Sequence, residues 1–186
     1  MLEIRWHSRA GQGAITGAKG LADVVAGTGK EVQAFALYGS AKRGAAMTAY
    51  NRIDSSPILN HEKFMNPDYI LVIDPGLTFI TNICANEKPG TQYIITTHLG
   101  KEELLKKKPD LEGKKLYTLD CIKISIEALG KPIPNAPMLG ALIKVSGMLE
   151  IEFFKAAFKK VLGKKLPQKI IDANMLAIER AYNEVK

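Results

Sequence analysis

Cysteine is scarce in this chain. Only Cys84 and Cys121 occur among 186 residues, and neither has a second cysteine close by. With no Cys-x-x-Cys pair, the sequence encodes no iron–sulfur cluster or zinc site of recognisable spacing. Two isolated thiols suit a reducing cytosol. Histidine is nearly as rare. His7, His61 and His98 are scattered, and roles in the core or at the surface outweigh metal ligation. Long apolar runs are missing too. The longest uncharged stretches, residues 75–86 and 132–143, are far too short to cross a bilayer. No basic–apolar–small leader stands at the N-terminus, so no membrane association and a cytoplasmic location are expected. Gly-x-Ser-x-Gly, His-Glu-x-x-His and clustered carboxylates are all absent, which removes the commonest hydrolase and metal-site signatures. Composition and spacing name no reaction.

What the chain does have is an ordinary apolar fraction of 46%, enough for a sizeable core. Its length fits one α/β domain over residues 1–186. The net charge of +7 sits in short clusters such as residues 106–108, Lys114-Lys115, Lys159-Lys160 and Lys164-Lys165. There is no helix-turn-helix, aromatic RNA-binding strand or long basic tail. Solvated helix faces, an acidic protein or a phosphate-bearing ligand account for the charge, and no nucleic-acid partner is expected.

Organisation centres on residues 3–30. Ile4 and Trp6 alternate with Glu3, Arg5 and His7, the period of a strand. Gly11 and Gly13 then permit a sharp turn. Ile15, Ala18, Leu21, Ala22 and Val25 follow at helical spacing. A strand, glycine turn and helix leave free backbone N–H groups at the helix start, where an anion is welcome. The same pattern is equally often plain architecture. It does not meet the dinucleotide fingerprint: the third glycine, Gly17, is one residue late, and Glu31 opens the next strand instead of closing it. A P-loop is excluded, since Gly27-Thr28-Gly29-Lys30 is followed by Glu31.

Further along, residues 31–37 and 45–53 read as strands joined by a loop with Gly39 and Gly44 at its ends, hence an antiparallel hairpin. Arg43 is the forked cation of that loop, able to grip a carboxylate or phosphate or simply to face solvent. Ala34, Ala36, Ala45, Ala46 and Ala49 leave room for close packing, by the protein's own helices or by another chain. Residues 69–73 form a continuous apolar run, the mark of a buried central strand. A turn at Asp74-Pro75-Gly76 and a helix over residues 78–86 come next. Asp74 and Asp120 both stand at strand ends without an obvious partner, although Asp120 suits the cap of a helix carrying Ile122, Ile126 and Leu129. Two more strands are expected at residues 93–96 and 116–119, with a surface helix at 102–107 between them. From Pro132 the texture changes to three consecutive helices, the first capped by Asn135 and running through Val145. The expected fold is an α/β three-layer sandwich with a mixed, mostly parallel sheet. Residues 132–186 add a C-terminal helical lobe packed on it.

The blocks Arg5-Trp6-His7-Ser8-Arg9-Ala10-Gly11-Gln12-Gly13-Ala14, Gln33-Ala34-Phe35, Tyr38-Gly39, Arg43-Gly44-Ala45 and Asn51-Arg52-Ile53 resemble the gamma subunit of pyruvate:ferredoxin oxidoreductase. So do Ile133-Pro134-Asn135-Ala136-Pro137-Met138-Leu139-Gly140-Ala141-Leu142, Lys164-Lys165-Leu166-Pro167 and Ile171-Asp172-Ala173-Asn174. They span nearly the whole chain in order. Ala10 departs from the glycine of many relatives, and Ser40-Ala41-Lys42 is a variable loop. The texture is nearer the pyruvate enzymes than those for branched-chain or 2-oxoglutarate substrates.

The resemblance implies a non-catalytic subunit of a heteromeric enzyme with alpha, beta and delta partners. That enzyme converts pyruvate, coenzyme A and oxidised ferredoxin to acetyl-CoA, CO2 and reduced ferredoxin. Thiamine diphosphate and iron–sulfur clusters are implied in sister subunits, none held by this chain alone, with coenzyme A as co-substrate. Given the family, Gly11, Gln12, Gly13 and Arg43 are the candidates to meet a coenzyme A phosphate or a neighbouring subunit. The hairpin alanines are candidates for an assembly surface. The competing class is a stand-alone nucleotide-binding domain.

Overall fold

Strand β1 (Leu2–Arg9) lies near the middle of a six-stranded sheet ordered β2-β3-β1-β4-β5-β6. This computed structural model describes residues 1–38 and 44–186. After β1 come α1 (Ala14–Ala26), β2 (Glu31–Tyr38), β3 (Ala46–Asp54), β4 (Tyr69–Val72), α2 (Leu77–Ile80) and β5 (Gln92–Thr96). Then follow α3 (Lys101–Lys107), a 3-10 turn at Pro109–Leu111, β6 (Lys115–Leu119), α4 (Cys121–Leu129), α5 (Asn135–Ser146), α6 (Ile151–Gly163) and α7 (Gln168–Glu184). β3 runs antiparallel to both β1 and β2, while β1, β4, β5 and β6 pair in parallel. One reversed strand in six is the mixed, mostly parallel sheet that the short β2–β3 connection implies.

The two faces of the sheet are covered unequally. Ile4, Trp6, Leu71 and Ile94 point into a large core shared with α1, α4, α5, α6 and α7. Ile70, Val72, Tyr93 and Ile95 point the other way, into a smaller core with Leu77, Leu104 and Leu111. The C-terminal helices form their lobe on the first face, and α5 is its innermost layer. Residues 136–143 of α5 are buried on every side, as an apolar helix without a polar face must be. Gly140 makes this possible: a Cβ there would lie 2.1 Å from the Ile178 carbonyl oxygen of α7. Gly20 does the same for α1, where a Cβ would meet the Phe158 ring of α6 at 2.5 Å.

One buried polar side chain ties β1, α1 and β3 together. Asn51 on β3 is fully buried. Its Oδ1 accepts from Trp6 Nε1 at 2.9 Å, and its Nδ2 donates to the Ala18 carbonyl of α1 at 2.8 Å. Each polar atom finds a partner, so the burial costs little.

The segment after β4 differs from the helix expected over residues 78–86. Only Leu77–Ile80 is helical, and Thr81 is already extended. The segment is anchored to β1. Arg5 Nη2 donates to the carbonyls of Ile83 at 3.0 Å and Ala85 at 2.8 Å. A guanidinium buried on the sheet needs acceptors, and these two carbonyls supply them.

Candidate functional site

After β1 the chain crosses to α1 on one face of the sheet, and after β4 it turns to α2 on the other. The carboxyl ends of β1 and β4 therefore flank a topological switch point, where open α/β sheets form a crevice. Gly11 (φ 100°) and Gly13 (φ 88°) form the turn on one side of it. Gly13 occupies the N-cap of α1 in the left-handed region, without any side-chain cap. The first N–H groups of α1 and the positive end of its dipole thus face this edge.

Asp74 stands on the other side of the crevice, and the two turns are joined. Gln12 Oε1 accepts from the backbone N–H of Arg9 at 2.8 Å and from Ser8 Oγ at 3.1 Å. That orientation sends Nε2 across the crevice to Asp74 Oδ2 at 2.6 Å. Arg9 Nε lies 3.3 Å from the same oxygen, and its Nη1 reaches the Gly44 carbonyl at 3.2 Å. Asp74 Oδ1 accepts from the Leu77 N–H at 3.2 Å. Below the turn, Asn135 of α5 packs its amide against Gly13, and Nδ2 points to the Gly13 carbonyl at 3.4 Å. A Cβ on Gly13 would sit 2.8 Å from that nitrogen. Closeness to Asn135, as well as the positive φ, therefore requires glycine there.

Of the four residues singled out from sequence, Gly11, Gln12 and Gly13 are together at this switch point, and Arg43 lies outside the described residues. Sequence reasoning left Asp74 without a partner. The structure supplies Gln12, Arg9 and Leu77. It also places Asp120 Oδ1 on the Lys123 N–H at 2.9 Å, capping α4. Arg9, Asp74 and Asn135 are the site residues that spacing did not reveal, because their partners lie far away in sequence. The arrangement can orient and bind. A carboxylate neutralised by Arg9, a carboxamide and a helix N-terminus offer electrostatic positioning.

Behind the crevice, the opposite face of β1 from Trp6 carries two buried polar groups. Arg5 is anchored as described, but its Nε has no partner among the described residues. His7 is also buried, and its Nε2 likewise lacks one. Burial, helped by the Arg5 charge, drives the His7 pKa down to about 3. The ring is thus neutral at physiological pH.

The alanines of the hairpin serve chiefly the protein's own packing. Ala49 is fully buried in the large core, and Ala34 and Ala36 pack against that core beside α1. Ala46 is exposed. Cys121 is buried at the start of α4, and Cys84 is half-buried after α2. Burial pushes the Cys121 thiol up to about 12 and raises the Cys84 thiol, so both are protonated at neutral pH. Among the described residues, no three His, Cys, Asp or Glu gather where they could hold a metal ion. Nor is any described helix long and apolar enough to cross a membrane.

The family model for pyruvate ferredoxin/flavodoxin oxidoreductase matches residues 3–184. The chain belongs to that family of oxidoreductases. It is 40% identical over 184 residues to the pyruvate synthase subunit PorC of Thermotoga maritima, covering 99% of this chain and 94% of the relative. It is also 40% identical over 184 residues to the pyruvate/ketoisovalerate oxidoreductases common subunit gamma of Thermococcus kodakarensis, covering 99% and 97%. Among solved structures it is similar to the pyruvate oxidoreductase subunit PORC of Thermotoga maritima, with TM-score 0.84 and 37% identity over 100% of this chain and 97% of that one. The 2-oxoglutarate:ferredoxin oxidoreductase of Magnetococcus marinus shares the fold at TM-score 0.77 and 20% identity. There this chain covers 30% of the longer polypeptide.

Proposed function

We infer that this chain is the gamma subunit of a heteromeric pyruvate:ferredoxin oxidoreductase. It works beside alpha, beta and delta chains that carry thiamine diphosphate and the iron–sulfur clusters, with ferredoxin as electron acceptor and the cytoplasm as its location. The observation that carries this reading is the end-to-end likeness to the PorC chain of Thermotoga maritima, in sequence and in fold. Within the complex, the Gly11-Gln12-Gly13 turn helps receive a phosphate of coenzyme A, and Arg43 joins it from the β2–β3 connection. The uncapped start of α1 supports that role. An arriving phosphate has to displace or share the Arg9 and Gln12 donors now turned to Asp74.

Reconstitution tests this. Pyruvate-dependent dye reduction is expected from the chain co-expressed with its sister chains and not from the chain alone; activity of the isolated chain refutes the assignment. In the reconstituted enzyme, Arg43→Ala and Gln12→Ala are expected to raise the KM for coenzyme A with that for pyruvate unchanged. An unchanged KM in an intact complex rejects the phosphate role.

A second reading has its own support. The Thermococcus kodakarensis relative is named as common to pyruvate and ketoisovalerate enzymes, which favours a gamma chain shared between two such complexes. Activity toward branched-chain 2-oxoacids on exchange of the catalytic chains is the matching test.

A further inference from the structure

A groove of about 600 Å³ opens on the surface of the helix layer, and Asn135, which packs against Gly13 at the switch point, is among its lining residues. Its walls come from α1, the α4–α5 connection, α6 and the start of α7. The floor is apolar, with Leu139 and Phe158 buried at its base. The rim is apolar as well: Ile133, Leu166 and Ile170 are each more than a third exposed. Three lysines, Lys19, Lys131 and Lys165, also line it, against one carboxylate, Asp23. None of the three forms an ion pair with a described residue, whereas Lys155 and Lys159 on neighbouring turns of α6 do.

We propose that this groove seats an amphipathic helix of a partner polypeptide in the assembled enzyme, apolar on the face that enters and acidic along its flanks. Three observations choose this occupant. The volume lies within the range of small-ligand sites, but the exposed apolar residues continue past the cavity onto its rim. A small ligand confined to the cavity leaves them wet; a helix lying along it covers them. Helices and the α4–α5 and α6–α7 connections make up the walls, and no strand borders the groove, so no strand edge is on offer. The recognition available is side-chain packing of a helix in a groove. The unpaired lysines set the partner's charge: carboxylates flanking its apolar stripe complete three pairs that this chain leaves open.

The inference rests on the chain being one subunit of a larger enzyme, and the experiment separates the two ideas. The full chain is co-expressed with its sister chains as wild type, as Leu166→Glu/Ile170→Glu and as Lys131→Glu/Lys165→Glu. Association is measured at fixed ionic strength by titrating each purified gamma chain onto the remaining complex. Both double variants alter exposed positions, and circular dichroism checks their folding. In parallel, a photoreactive residue at Ile133 of the otherwise wild-type chain is crosslinked within the purified complex and the joined peptide is sequenced. The proposal expects Kd to rise at least about tenfold in each double variant. It also expects the crosslink to fall on an apolar stripe flanked by Asp or Glu. Wild-type affinity in both variants overturns the docking site and leaves the subunit assignment standing. So does a crosslink to a basic segment, or a small molecule retained in the groove of the native complex. Failure of the wild-type chain to join its sister chains overturns both.

Discussion

Replacing His7 by leucine should remove a defined part of this protein's acid sensitivity. His7 sits on the buried face of β1 opposite Trp6, with Arg5 two residues away on the same face. Its pKa falls from 6.5 to about 3, first because burial strips water from the charged ring and second because Arg5 repels it. In the unfolded chain it returns to an ordinary value near 6.5. Between these two values the unfolded state holds a proton that the native state lacks. Stability therefore falls as pH falls through that window, by about 1.36 kcal/mol per unit. From pH 6.5 to 5 the slope accumulates to about 2 kcal/mol for this one side chain.

The measurement is urea unfolding at pH 7 and pH 5, followed by the fluorescence of Trp6, the only tryptophan. The lower limit stays above the ordinary range of Asp and Glu, so most carboxylates remain ionised at both ends. His61 and His98 remain in both proteins and cancel in the comparison. Any packing change made by leucine cancels too, because each protein is referred to itself at pH 7. The wild type should lose about 2 kcal/mol more than His7→Leu over this interval. Equal losses, within about 0.5 kcal/mol, would refute the buried neutral histidine. Proton NMR gives a direct check: the His7 ring signals should hold constant from pH 8 to 5.

Two further changes probe the packing. Gly140→Ala puts a methyl group 2.1 Å from the Ile178 carbonyl oxygen. The helix propensity gained is about 1 kcal/mol, while separating two buried helices costs about 3 kcal/mol or more. A net loss of about 2 kcal/mol is expected in urea melts, and a variant as stable as wild type contradicts the close α5–α7 approach. Asn51→Leu strands the Trp6 indole N–H and the Ala18 carbonyl in the core. It should cost about 2–4 kcal/mol, and a change below about 0.5 kcal/mol would mean that these groups find other partners.

Local order in this fold was legible where period and turn chemistry agree. The alternation in β1, the glycines after it and the apolar stripe of α1 fix three elements within a residue or two. The β2–β3 hairpin followed from two apolar runs too close together for a crossover. The placement of α5 was less visible. Its uniform run of apolar residues signals burial on all sides, but only Gly140 against Ile178 reveals which helix covers it, 38 positions later. The anchoring of residues 81–86 lies in no local window: the carbonyls that Arg5 takes are 78 and 80 residues away from it.

The candidate site divides along the same line. Gly11 and Gly13 announce a turn because glycine alone occupies those backbone angles without strain. What the turn faces is set by strand order, which places β4 beside β1 although two strands intervene in sequence. That neighbour brings Asp74 within 2.6 Å of Gln12, so the residue between the glycines is a bridge as well as a spacer. An anion approaching the start of α1 meets donors already committed to a carboxylate. Its affinity therefore depends on how readily Gln12 and Arg9 exchange Asp74 for the newcomer. If they do, Asp74→Asn should weaken the competition and lower the KM for coenzyme A in the reconstituted enzyme, whereas Gln12→Ala raises it. Opposite signs from two residues in contact are what a shared set of donors demands. A parallel rise in both would mean that the bridge only holds the turn in shape.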